Sequence, residues 1–307
     1  MINNIFCILI VATAVFQTSC AADTILKKGH SPEGAEALSN CNGRKLNNRA
    51  PNTTKPGLIS EDHHYYGEGC FKKIIESTFA TGKPIVLFVH GRGKHPSKTI
   101  KNDLLSSIRN QYNVSILTYT WPSYTGRSGF PDEKARNSRT GLENVLKSLY
   151  RIKKTGGYNQ PISLLTHSMG SIVLQGLMEK STGSLLPKHS FESVVISASA
   201  SSHKDHKKWV EKLTFFKKAY IVSNSNDKAL LCLEGKKLLC KLGLRFNLSA
   251  RLGRIGGSVP EENASNATYI DFTKSTGKSH RYYINHAKKS PRVFNFYRAA
   301  LAGKIAE

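Results

Sequence analysis

Residues 164–171 read Leu164-Leu165-Thr166-His167-Ser168-Met169-Gly170-Ser171. Just upstream, Pro161-Ile162-Ser163 completes an apolar run of strand length, and downstream a helical stretch continues to Lys180. Ser168 therefore stands at a strand-to-helix turn, with small residues two positions before it (Thr166) and two after (Gly170). A serine that acts as a nucleophile needs this arrangement. The turn is strained, and bulky side chains two residues to either side would strike the flanking strand and helix. Gly is the usual occupant of the first small position, so Thr166 is a departure from the pattern.

Working outward, apolar runs of strand length alternate with helical periods. Lys83 to Val89, with Pro84 leading an unbroken apolar run, suits a strand buried on both faces. Ser97 caps an expected helix in which Ile100, Leu104, Leu105, Ile108 and Tyr112 recur at helical spacing. Further strands are expected over 114–120, 161–166, 193–197, 218–223 and 268–272. Helices are expected over 131–154, through Lys180, around Trp209 and Leu213, and over 290–301. Such alternation implies an α/β fold: a mostly parallel central sheet with helices on both faces. Residues 243–267 are irregular and contain Gly, Arg and Asn, as a substrate-side loop would.

The 307 residues carry 45 Lys plus Arg against 21 Asp plus Glu, a net charge of +24. Hydrophobic residues make up 39%, enough for a packed core in a chain of this length. With only 24 glycines, no sustained heptads and a single long apolar run, the sequence excludes collagen-like, coiled-coil and polytopic membrane proteins. The charge should draw the chain to anionic polymers or membrane surfaces. The basic residues fall in small scattered clusters such as Lys207-Lys208, Lys236-Lys237 and Lys288-Lys289, without a nucleic-acid motif, so no specific nucleic-acid partner is expected.

Ile5 to Phe16 is an apolar run too short to span a bilayer, and small residues follow it up to Ala22. This pattern predicts a signal peptide over 1–22 and a secreted or periplasmic protein. Thr18-Ser19-Cys20 also allows a lipoprotein anchored at Cys20. Residues 23–60 lack an apolar period and read as a flexible leader, which leaves 61–307 as the folded domain. In an oxidising compartment Cys41, Cys70, Cys232 and Cys240 can form disulfides, and local closure favours Cys41–Cys70 with Cys232–Cys240.

With the elbow placed, Phe88-Val89-His90-Gly91, Tyr119-Thr120-Trp121-Pro122-Ser123 and Arg251-Leu252-Gly253 complete a resemblance. The chain resembles the α/β-hydrolase superfamily. It looks most like lipase and esterase relatives with a His-Ser-Met-Gly elbow, in a poorly characterised bacterial branch. The resemblance covers Pro84 to Leu301. It implies a serine hydrolase that cleaves carboxylic or thio esters, with an acyl ester or lipid as substrate. His90-Gly91-Arg92-Gly93 then falls where relatives supply one oxyanion amide, so the donors are expected to be the backbone N–H groups of Arg92 and Met169.

Relatives also place an acid after the strand ending near Ser223 and a histidine after the last strand. That position for the acid holds Asp227, with Asp205 as runner-up, while Asp271 sits inside the last strand. His280 and His286 both follow that strand, and His280 is favoured as the base, with His286 as the alternative. Tyr282-Tyr283 would anchor the loop. His90 reads as a structural partner of the oxyanion loop and His167 as a packing or substrate-lining residue. Triad chemistry of this kind requires no metal or organic cofactor. His203 and His206, spaced as HxxH, lack a third ligand in the local sequence and are weak as a metal site. The competing reading of the whole chain is a basic binding protein on a hydrolase scaffold.

Overall fold

The computed structural model describes residues 43–45, 57–60, 63–65, 68–93, 103–123, 130–233 and 250–306. The expected signal peptide, the cap at Ser97 and both disulfides lie wholly or partly outside these residues. No helix among the described residues is long and apolar enough to cross a membrane.

The chain runs β1 (Gly43–Lys45), β2 (Gly57–Ser60), β3 (His63–Tyr65), α1 (Glu68–Ala80), β4 (Ile85–Val89), α2 (Asp103–Tyr112) and β5 (Ser115–Thr120). It continues through α3 (Asp132–Asn137), α4 (Arg139–Thr155), β6 (Ile162–His167), α5 (Gly170–Lys180), β7 (Phe191–Ser197), α6 (His206–Val210) and β8 (Phe216–Ser223). The last stretch holds α7 (Lys228–Leu233), α8 (Leu252–Ile255), β9 (Ala267–Asp271), α9 (Thr273–Thr276), α10 (Tyr282–Asn285) and α11 (Pro291–Leu301).

All of these strands join one nine-stranded sheet, ordered β1-β3-β2-β5-β4-β6-β7-β8-β9. From β5 to β9 the strands are parallel, as the alternation implies for an α/β fold. Residues of β4, β5 and β6 are buried throughout, which is why their sequences show no polar alternation. The order reverses at β4. The chain passes from β4 to β5 on one side, then crosses to β6 on the other. That switch leaves a crevice at the strands' carboxyl ends, where open α/β sheets bind ligands.

Helix α11 closes one face of the sheet through side chains as well as apolar contact. The Ser193 hydroxyl donates to Ala300 O at 2.6 Å, and Ser197 Oγ lies 2.8 Å from the Tyr297 hydroxyl. The serines in these strands are therefore satisfied rather than stranded in the core.

Two features differ from the sequence reading. Strands β1 and β2 fall inside the segment 23–60 read as a leader, and β2 pairs antiparallel with β5. The sheet thus begins before residue 61. Leu58 is fully buried, and the strand pairs with the edge that β5 offers. The helix expected over 131–154 is also split into α3 and α4 at Ser138. The Tyr119 hydroxyl donates to Ser138 O at 2.8 Å, and the helical bond from Leu142 N to that same carbonyl is stretched to 3.4 Å. Gly141 makes room for the intruding phenol: a Cβ there would sit 2.4 Å from its oxygen. Helix α1 carries Phe71, Ile74, Ile75 and Phe79 buried at helical spacing, a signal the sequence reading passed over.

Candidate active site

The elbow forms as its sequence demands. Ser168 has φ of +53°, left-handed backbone that a non-glycine residue adopts only where its surroundings force it. The force is visible in the bonding. Ser168 N donates to Ser197 O on the neighbouring strand, and Ser168 O accepts from Ala200 N, Ser171 N and the Ser171 hydroxyl. Gly170 is required because a Cβ there would stand 2.3 Å from Val89 O and 2.8 Å from His90 O. With no Cβ, α5 seats directly on the end of β4 and aims its N-terminus at the crevice.

The loop after β4 lies against the same point, because β4 and β6 pair with Val89 opposite Thr166. A Cβ on Gly91 would be 2.9 Å from Ser168 Cβ. Trp121 Nε1 donates to His90 O at 2.8 Å, His90 Nδ1 donates to Gly91 O at 2.7 Å, and the Ser123 hydroxyl donates to Gly93 O at 3.2 Å. Burial drives the His90 imidazole down to about 4, so it is neutral at neutral pH and serves as a loop tie. Gly91 and Met169 therefore flank Ser168 from two different elements, with Arg92 next along the first.

Asp227 and His280 meet. His280 Nδ1 donates to Asp227 Oδ2 at 2.7 Å, across 53 residues of sequence. A carboxylate only accepts, so this contact puts the proton on Nδ1 and leaves the Nε2 lone pair available. The other carboxylate oxygen, Oδ1, accepts the backbone N–H groups of Ala229 (2.9 Å) and Leu230 (3.1 Å), capping α7. Asp227 is fully buried with both oxygens occupied.

Three supports hold His280 in place. His167 Nε2–H donates to His280 O at 3.1 Å, and the two rings lie 4.7 Å apart. Burial, followed by the neighbouring His280, keeps His167 well below its ordinary value, so it stays neutral. The Asn224 amide donates to both Gly277 O and Ser279 O at 2.9 Å. Tyr282 and Tyr283 are fully buried, and the Tyr282 hydroxyl bridges Val222 O and Ala198 N.

The remaining candidates sit elsewhere. Asp205 is exposed and pairs with Lys208 Nζ at 2.9 Å. Asp271 is also exposed and accepts from Thr273 N at 2.8 Å. His286 is the C-terminal cap of α10, past the segment that faces Asp227. His203 and His206 do acquire a third neighbour, Glu262, from 56 residues further along the chain.

Sequence reasoning missed Asn224 and the bonding role of His167. The structure gives the Arg251-Leu252-Gly253 motif of the resemblance a physical role. Leu252 N and Gly253 N donate to Ser201 O and Ser199 O, Gly253 O accepts from Asn224 N, and a Cβ on Gly253 would be 2.3 Å from Ser199 N. This backbone strap ties the ends of β7 and β8 together beneath the His280 loop. Its signal in the sequence is the Arg251-Leu252-Gly253 motif itself.

Among solved structures, the chain is similar to a cold-adapted esterase from an Arctic intertidal metagenomic library. Identity is 9% and the TM-score 0.42, over 71% of this chain and 82% of that one. It is also similar to an esterase of Pyrococcus furiosus, at 10% identity and TM-score 0.42 over 90% and 96% of the two chains. No curated protein sequence matches it significantly. The family model described as "Alpha/beta hydrolase of unknown function (DUF900)" matches residues 70–295, which include the elbow, the Asp227–His280 pair and the Gly253 strap. The chain belongs to that family of α/β hydrolases.

Proposed function

We propose that the protein is a serine hydrolase that cleaves carboxylic or thio esters through an acyl-enzyme on Ser168. The observation that carries this reading is the 2.7 Å contact of His280 Nδ1 with buried Asp227, on a loop bound to His167, the residue preceding Ser168. His280 Nε2 takes the proton of Ser168 as Oγ bonds to the substrate's carbonyl carbon. Negative charge builds on the carbonyl oxygen, and the backbone N–H groups of Met169 and Arg92 receive it. The first of these sits at the N-terminus of α5, where the helix dipole favours an anion. The tetrahedral species collapses as the alcohol or thiol departs with the proton from His280. Water, deprotonated by the same imidazole, then releases the acyl group. Asp227 holds the tautomer and stabilises the imidazolium without itself taking the proton.

The apolar run at residues 5–16 supports export, and the charge of +24 supports association with anionic surfaces where acyl lipids are found. The test is turnover of a short-chain nitrophenyl ester together with covalent labelling by a fluorophosphonate. Wild type should do both and Ser168→Ala neither. Equal labelling of Ser168→Ala would remove Ser168 from the reaction.

A further inference from the structure

His203 and His206 lie on the segment after β7, fully or almost fully buried, and Glu262 reaches them from the short 3₁₀ turn Pro260–Glu262. One ligand atom from each of the three lies within 4.8 Å of the others, and His203 Nδ1 is 2.9 Å from Glu262 Oε2. The arrangement of the other ring nitrogens is more telling. His203 Nε2 donates to Gly256 O at 3.2 Å, and His206 Nδ1 donates to His203 O at 2.6 Å. Each imidazole thus has one nitrogen fixed by a backbone carbonyl; the other faces Glu262 Oε2 in His203 and the Tyr269 hydroxyl in His206, within 4.8 Å of the other two ligand atoms. Metal-binding histidines are oriented in this way, with the outer N–H held by a carbonyl or carboxylate so that the inner lone pair points at the ion.

The geometry points to a divalent metal site formed by His203 Nδ1, His206 Nε2 and a Glu262 carboxylate oxygen, with zinc as the best match. Two imidazoles and one carboxylate suit Zn²⁺, and the fourth position would hold water. Ligands about 2.0–2.2 Å from a tetrahedral ion stand roughly 3.3 Å apart, so the three groups need only side-chain adjustments to close on one. In its present arrangement His206 Nε2 is hydrogen-bonded to the Tyr269 hydroxyl at 2.7 Å, and this bond would give way to the ion. Glu262 is 47% exposed and supplies the access route. The ion would clamp the stretch 256–262 to the end of β7, next to the strap through which Gly253 O holds Asn224. This inference stands independently of the ester chemistry.

The test uses the full chain, stripped with a chelator and titrated with Zn²⁺ alone, read by calorimetry and by thermal melting. Wild type should bind one equivalent saturably and melt at a higher temperature when loaded. Loss of even an outer-shell partner weakens metal sites about 10–100-fold, so Glu262→Gln should weaken binding at least ~10-fold. His206→Gln should do the same. If that buried substitution prevents folding, Glu262→Gln, on an exposed turn, decides the matter by itself. Absence of saturable binding by wild type, a melting temperature unmoved by zinc, or wild-type affinity in Glu262→Gln would each overturn the site.

Discussion

Asp227→Asn separates two jobs that one side chain performs with different oxygens. Oδ1 caps α7 by accepting two backbone N–H groups, and Oδ2 accepts the His280 Nδ1 proton at 2.7 Å. Asparagine keeps one acceptor and replaces the other with a donor. If its oxygen turned toward His280, the NH₂ group would face two N–H donors in a fully buried site, leaving them unsatisfied at about 1–3 kcal/mol each. The oxygen therefore stays on α7 and the NH₂ faces His280. Imidazole must then present a lone pair at Nδ1 and carry its proton on Nε2, so it can no longer take the proton of Ser168. The cap survives and the stability loss should stay near 1 kcal/mol, the scale of a single net hydrogen bond. The catalytic loss should be far larger. The equivalent change in a well-studied triad costs about 10⁴ in kcat, some 5.5 kcal/mol of barrier. The assay pairs kcat on a short-chain nitrophenyl ester with thermal melting of the same samples. A folded Asp227→Asn protein that retains kcat within about tenfold of wild type would refute the tautomer argument.

Three further outcomes are expected. His280→Ala should abolish ester turnover, while His286→Ala should leave most of it, since Asp227 contacts the former; the reverse result in kinetic assays would move the base to His286. Gly170→Ala must push α5 away from the carbonyls of Val89 and His90 by about 1 Å, so stability should fall ~1–3 kcal/mol and kcat about 100-fold, and wild-type values for both would contradict the close packing. His90 and His167 are both held neutral by burial, so the folded state binds fewer protons than the unfolded one below the ordinary histidine value of 6.5. Stability is then fully present above that pH and falls below it, for His90 by about 1.4 kcal/mol per unit down to about 4, with His167 acting in the same direction. Urea melts across this window on wild type and His90→Asn should show a shallower slope in the variant.

The sequence by itself determined the parallel sheet, the order of its parts along the chain and the elbow. Each rests on forces that act within a few residues. An unbroken apolar run reports a strand covered on both faces, and small residues around Ser168 report a turn that admits nothing larger. It favoured Asp227 over Asp205 and His280 over His286 from their places after the strands, without any contact to join the chosen pair. Only the tertiary structure brought Asp227 to His280, because β8 and β9 are neighbours and their following loops cross at one end of the sheet. The same holds for Asn224 beneath the His280 loop, for Glu262 beside the HxxH pair, and for the break at Ser138, where Tyr119 from a distant strand takes a helical carbonyl. The two short strands ahead of residue 61 belong with these, since residues 57–60 become a strand by pairing with β5 on one side and β3 on the other. Periodicity is written in neighbouring residues, whereas a contact between groups fifty residues apart depends on where the backbone carries them.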